Sequence, residues 1–213
     1  MAEKRTFDRN AKGVREILSM KYETFPFEGE WRDAFDTPER KGVWLIWGNS
    51  GNGKSTFAMK LCKYLCQFGR VAYDSLEEGA CLNMKRMIQQ CGMMDVNRRF
   101  LLIDNENMEQ LSIRLKRQKS PDIVVIDSFQ YTMMSYKEYR EFKESHPNKL
   151  LIFISHADGT LPTGQVAKKM MFDAKLKIYI EGYRAFSKGR FTGPVGYYDI
   201  WPEEAEIHWG KKK

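Results

Sequence analysis

An apolar run at positions 43–47, Val-Trp-Leu-Ile-Trp, stops at Gly48-Asn49-Ser50-Gly51-Asn52-Gly53-Lys54-Ser55, and a segment of helical period follows at 57–65. This succession restricts the fold more than any other feature of the chain. A continuous apolar run of that length reads as a strand buried on both faces. A strand that passes through a glycine turn straight into a helix is the first half of a β-α-β crossover, and such crossovers build parallel sheets. Similar runs at 70–74, 100–103, 123–126 and 150–154 read as further buried strands, alternating with helix candidates at 54–68, 80–90, 108–117 and 135–144. The expected fold class is therefore α/β: three layers, α/β/α, around a mostly parallel central sheet. After position 154 the pattern changes to a loop, a helix near 164–172 and three strand-like pieces at 176–180, 183–186 and 197–201, read as an antiparallel C-terminal extension.

With 213 residues the chain suits one core with short appendages. Residues 1–40 read as an N-terminal arm, polar, interrupted by Pro26 and Gly29, and carrying the aromatics Phe25, Phe27 and Trp31. Residues 41–213 make up the main domain. A composition 42% hydrophobic and 30% charged excludes wholesale disorder. No apolar run approaches the roughly 20 residues of a membrane span, and the N-terminus is charged without a secretory apolar stretch, so a cytoplasmic protein free of membrane is expected. Cys62, Cys66, Cys81 and Cys91 have neither C-x-x-C nor zinc-type spacing and read as reduced thiols. The net charge of +7 suits a phosphate-rich partner but is also found in proteins that bind none.

The segment 48–55 matches G-x-x-x-x-G-K-[ST] without a mismatch, in the strand-then-helix context that the motif requires. Backbone N–H groups can encircle phosphates only where the loop takes conformations that glycine tolerates, which Gly48, Gly51 and Gly53 supply, and the helix start adds aligned peptide dipoles. Lys54 brings a point charge to the β and γ phosphates, and the Ser55 hydroxyl ligates Mg²⁺. ATP and Mg²⁺ are thus the expected ligands. A second carboxylate has to hold the ion through water at the end of a neighbouring buried strand. Ile123-Val-Val-Ile-Asp127 supplies it, although an acid at a strand end also suits a turn or a cap.

Three more segments follow the phosphate loop in order: Val71-Ala-Tyr-Asp-Ser-Leu-Glu77-Glu78-Gly79, Leu150-Leu-Ile-Phe-Ile-Ser155-His156, and Phe186-Ser-Lys188-Gly-Arg190-Phe191-Thr-Gly193. With them the chain resembles, over about residues 40–202, the RecA-like P-loop ATPase cores of DnaB-type replicative helicases, RadA/Sms-type branch-migration proteins and KaiC-type ATPases. The resemblance implies Glu77 as the base that activates water, with Glu78 its neighbour and Asp74 a third candidate; both glutamates also suit an ordinary helix start. It implies His156 as the residue that senses the γ-phosphate, where those families usually carry glutamine; a histidine closing a loop hydrogen bond is the alternative. It implies that Lys188 and Arg190, like the K-x-R-F-G segment of RadA/Sms proteins, reach into the site of the next subunit of a ring or filament. A plain basic hairpin is the competing reading there.

In RecA-like motors the loops after the metal-carboxylate strand and after the sensor strand face a central channel. Their counterparts are 130–137, with Tyr131, Tyr136 and Lys137, and 158–169, with Lys168 and Lys169. Lysines neutralise phosphates and tyrosines stack on bases, so both suit single-stranded DNA, while Lys168 and Lys169 equally suit the exposed face of a helix. Phe25, Phe27 and Trp31 suit either a neighbouring subunit or the chain's own core. The function implied is an oligomeric Mg-ATP-dependent ATPase acting on DNA, as helicase, branch-migration motor or DNA-bound ATP switch, with a replication, recombination or transposition protein as partner. The alternative is a KaiC-like, protein-directed ATPase or assembly regulator that does not bind DNA.

Overall fold

The computed structural model describes residues 11–188 and 196–210. Helices α1 (Val14–Ser19) and α2 (Gly29–Phe35) precede β1 (Gly42–Gly48), which leads into α3 (Lys54–Leu65). There follow β2 (Val71–Ser75), α4 (Leu82–Gln90), β3 (Phe100–Asp104), α5 (Met108–Lys116), β4 (Ile123–Asp127), α6 (Tyr136–Ser145) and β5 (Leu150–Asp158). The chain continues through β6 (Leu161–Pro162), α7 (Gln165–Asp173), β7 (Leu176–Glu181), β8 (Arg184–Ser187), β9 (Tyr197–Asp199) and α8 (Pro202–Trp209).

The strands form one sheet in the order β3-β2-β4-β5-β1-β7-β8-β9, with β6 paired to β5. From β3 to β7 every neighbouring pair is parallel, and β8 and β9 are added antiparallel. Side chains alternate across the pleat, which is why the central strands are apolar throughout. On β1, Trp44 and Ile46 enter the core beneath α3, whereas Val43, Leu45 and Trp47 enter the core beneath α5, α6 and α7. β4 and β5 divide their residues between the same two cores. The result is a three-layer α/β/α fold with a mostly parallel sheet and an antiparallel C-terminal extension.

Some element boundaries differ from expectation for local reasons. The strand expected at 197–201 stops at Asp199, because Pro202 sits in the first turn of α8, where its missing N–H costs nothing. Helix α8 mixes charged and apolar residues without a clear stripe, so periodicity does not reveal it. The loop expected at 158–169 is mostly regular: β5 runs on to Asp158, turns into β6, and α7 begins at Gln165.

The arm aromatics belong to this chain's own core. Phe25 and Phe27 are 1% exposed. Phe27 meets Trp44, Tyr64 and Phe68 edge-on or stacked at 5.1–6.3 Å, and the adjacent Glu28 N–H donates to the Tyr64 hydroxyl at 2.9 Å. Trp31 lies between Tyr64 and Tyr198, with ring centroids 4.8 and 4.3 Å away. The anchors weighed for a neighbouring subunit are thus committed within the chain, while α1 carries Val14, Ile17 and Leu18 exposed. Truncating a buried phenylalanine loses both transfer energy and packing, so Phe27→Ala is expected to cost about 3–5 kcal/mol in chemical denaturation. A loss below about 1 kcal/mol would mean that the arm is an appendage.

Candidate active site

Parallel strands put their C-terminal ends on one edge of the sheet, and the loops leaving β1, β2, β4 and β5 meet there. Gly48 pairs with His156, and Ser75 pairs with Asp127. Leu76 and Glu77 both donate their N–H to the Asp127 carbonyl, at 2.7 and 3.3 Å, which holds the β2 exit against β4. A cavity of about 330 Å³ opens between these ends. Ser50, Gly51, Gly53, Lys54 and Ser55 line it from the phosphate loop, Glu77 and Glu78 from β2, Asp127 and Ser128 from β4, and His156 from β5.

The phosphate loop needs two of its glycines for separate reasons. A Cβ on Gly48 would lie 2.3 Å from the Ile180 carbonyl oxygen, because β7 passes directly beside it. Gly53 adopts φ of 91°, which a side chain resists, and serves as the N-cap of α3. No side chain caps that helix, so its first-turn amides point into the loop, the arrangement that attracts an anion. Asn52 accepts from Gly182 N–H at 2.8 Å and donates to the Ser50 carbonyl at 3.0 Å. Asn49 reaches the Gly159 carbonyl at 3.4 Å. The Lys54 ammonium donates to the Asn49 carbonyl at 3.0 Å and so spans the loop. Burial lowers the Lys54 pKa, against the pull of Asp127 and Glu77.

Asp127 accepts a short hydrogen bond from the hydroxyl of Tyr73, which is fully buried on β2. Burial raises the Asp127 carboxyl to about 6, with the Tyr73 hydrogen bond and Lys54 opposing and Glu77 adding to the rise. Glu77 Oε2 lies 3.3 Å from His156 Nε2, which is itself 3.4 Å from Ser128 Oγ. Glu78 turns the other way, toward the Cys81 thiol at 3.7 Å. Asp74 is on the opposite face of β2, fully buried, and accepts from Glu106 N–H at 3.2 Å outside the cavity.

No protein-family model matches the chain. It is 36% identical to the DNA repair protein RadA of Streptococcus pyogenes serotype M3, over 73% of this chain and 38% of that protein. It is 29% identical to the DNA repair protein RadA of Streptococcus pneumoniae, over 73% of this chain and 41% of the relative. The chain thus spans about two fifths of the length of these relatives. The solved ATPase domain of a DnaB-like helicase superposes on 78% of this chain and 84% of its own, with a TM-score of 0.55 and 17% sequence identity. The fold is that of a RecA-like P-loop ATPase core.

Within this RecA-like core, Ser55 and Asp127 offer hard oxygen donors, the type that Mg²⁺ takes. Asp127 is a carboxylate that burial disfavours, so a cation beside it would relieve that cost. Among the described residues no group of three His, Cys, Asp or Glu is clustered for a metal, so phosphate oxygens and water would have to complete the shell.

The residues weighed for DNA lie on adjoining segments past β4 and β5. Tyr131 is exposed on a 3-10 turn, Phe129–Thr132, and Lys137 is exposed in the first turn of α6, within 3.8 Å of Glu141. Lys168 and Lys169 are on α7, not in a loop, with the Lys169 ammonium 5.3 Å above the Tyr136 ring. Gln130 joins the two segments: it donates to Ser155 Oγ at 2.8 Å and the Thr163 carbonyl at 3.1 Å, and accepts from His156 N–H at 3.2 Å. Lys188 is exposed at the end of β8, outside the cavity, and Arg190 lies outside the described residues. Among the described residues no helix is long and apolar enough to cross a membrane.

Sequence reasoning missed Tyr73, Thr56, Tyr183, Ile200 and Trp201, which also line the cavity. Tyr73 left one trace, a hydroxyl inside an otherwise apolar strand.

Burial raises Asp74 to about 7, helped by Glu106 and opposed by the Glu106 N–H and Arg114. A folded-state pKa above the unfolded one lets the unfolded chain ionise first, so this group's contribution to stability falls as pH rises from about 4 to 7. Asp74→Asn is expected to flatten that fall and to be more stable than the parent at pH 8, by on the order of 1–3 kcal/mol, with no gain at pH 4. Denaturation midpoints across this range check it; parallel curves for variant and parent would refute the assignment.

Proposed function

We propose that the chain is a Mg-ATP-dependent ATPase that acts on DNA and works as an assembly of copies. The observation that carries this reading is the convergence of Lys54, Asp127, Glu77 and His156 on one cavity beside the phosphate loop. The amides of 48–55 and the Lys54 ammonium suit a triphosphate. Ser55 and Asp127 would hold Mg²⁺, which when bound supplies charge neutralisation at the phosphate oxygens. Glu77 stands where it can orient water and take its proton as the water oxygen bonds to the γ-phosphorus and the bond to the ADP oxygen breaks. His156, in contact with Glu77, is suited to donate to a γ-phosphate oxygen.

Cations from a second copy fit the topology. Ser187 pairs with Ile178, and Ile178 pairs with Ile46. Lys188 therefore lies roughly 10 Å short of the end of β1 and about 10 Å to its side, away from its own phosphate loop. Lys188 and Arg190 then serve the γ-phosphate of a neighbouring copy, where such cations stabilise developing charge. For the polynucleotide, Tyr131, Lys137, Lys168 and Lys169 provide stacking and phosphate-neutralising groups on adjoining segments, and the RadA relatives are named for DNA repair.

Steady-state ATP hydrolysis with and without single-stranded DNA tests the whole reading. Turnover of the parent is expected to rise with DNA and to be lost in Lys54→Ala together with ATP binding. Glu77→Gln is expected to lower kcat about 10²–10⁴-fold. Arg190→Ala is expected to lower it about 10³-fold or more. Both variants are expected to bind ATP as the parent does. Unchanged rates in these two would remove the base and trans-cation assignments, and a DNA-insensitive parent would favour a protein target.

A further inference from the structure

The cavity has a wall that the triphosphate chemistry leaves unused. Past Lys54, Ser55 and Thr56 it is bounded by Tyr183, Ile200 and Trp201. Tyr183 occupies the turn between β7 and β8 with φ of 59°, a left-handed conformation that is an outlier for a bulky aromatic residue and calls for an explanation. The turn is fastened from several sides. Gly182 N–H donates to Asn52 in the phosphate loop at 2.8 Å, Trp209 Nε1 donates to the Gly182 carbonyl at 3.0 Å, and Ile200 N–H donates to the Tyr183 carbonyl at 2.8 Å. A Cβ placed on Gly53 would lie 3.3 Å from the Tyr183 ring and 3.4 Å from Ile200. The strained turn thus sets an aromatic ring directly against the N-cap of α3.

Trp201 completes the wall. Its ring stands 6.2 Å from that of Tyr183 at 78°, and the residue is 53% exposed, high for a tryptophan beside a cavity. Two aromatic rings with an aliphatic floor, all without formal charge, suit a flat uncharged π system. Immediately beside a loop built for phosphates, that ligand is the base of a nucleotide. Stacking rewards ring area more than the pattern of donors and acceptors on the ring edge, so it favours purines over pyrimidines and separates adenine from guanine little.

We propose that Tyr183 and Trp201 form a base-stacking site that selects purine nucleoside triphosphates. It rests on the phosphate-loop reading above, since the base is placed by phosphates held at 48–55.

Calorimetric titration of the full chain with ATP, GTP, CTP, UTP and inorganic tripolyphosphate tests it. The parent is expected to bind ATP and GTP within about threefold of each other and the pyrimidine nucleotides about tenfold more weakly. Tyr183→Asn removes the ring while keeping a residue that tolerates the left-handed turn. It is expected to weaken ATP about tenfold, to the pyrimidine level, and to leave tripolyphosphate unchanged; Tyr183→Phe keeps the parent's preference. ATP affinity unchanged in Tyr183→Asn overturns the proposal. So does an equal loss for tripolyphosphate, because the turn would then act only by shaping the loop through Asn52. A parent that binds neither ATP nor tripolyphosphate overturns the phosphate-loop reading itself, whereas loss of both ligands in Lys54→Ala alone upholds it.

Discussion

Parallel strand register is the constraint on which the site depends. Gly48 lies level with His156 and Ser75 level with Asp127, so four loops leave the sheet at nearly one height. A one-residue slip in any of these strands would turn its side chains to the other face and bury Asp127 or His156 under a helix layer. The two apolar cores prevent this, because each strand divides its residues between them and has no polar face to exchange. Hydrophobic patterning, far from the chemistry, thereby fixes where the polar groups point.

The electrostatics follow from that placement. Asp127 and Glu77 are like charges held close by the bonds from Leu76 and Glu77 to the Asp127 carbonyl, and burial raises the cost of ionising Asp127. Lys54 and the Tyr73 hydroxyl offset part of that cost. The cluster is an arrangement in which bringing up a cation or an anionic phosphate changes the balance strongly, since a partly buried site screens charges less than water does.

Polar contacts also lead from the cavity to the face where the DNA-weighed residues lie. Asn49 reaches Gly159, Trp47 Nε1 donates to the Thr160 carbonyl at 3.0 Å, and Gln130 ties His156 and Ser155 to Thr163. The segment 159–163 is thus bonded to the phosphate loop at one end and to the His156 strand at the other. A shift at either place would be felt along the β5–β6 turn, which gives the two regions a physical connection without a long relay.

Much of the architecture was legible in the order of residues. Continuous apolar runs can be satisfied only by burial on both faces, so the strands, the intervening helices and the parallel α/β class could be read directly, as could a phosphate-type loop whose motif is local in sequence. Helix α8 was not legible, because its residues show no stripe, and neither was the commitment of Phe25 and Phe27 to this chain's own core, because aromatic side chains look alike whichever surface covers them. The strand order was decided by tertiary packing alone, and with it the meeting of Tyr73 with Asp127 and of Tyr183 with Gly53. Those contacts join residues 54 and 130 positions apart. Local propensity carries no information about such pairs, since they exist only once the sheet has set the distance between its strands.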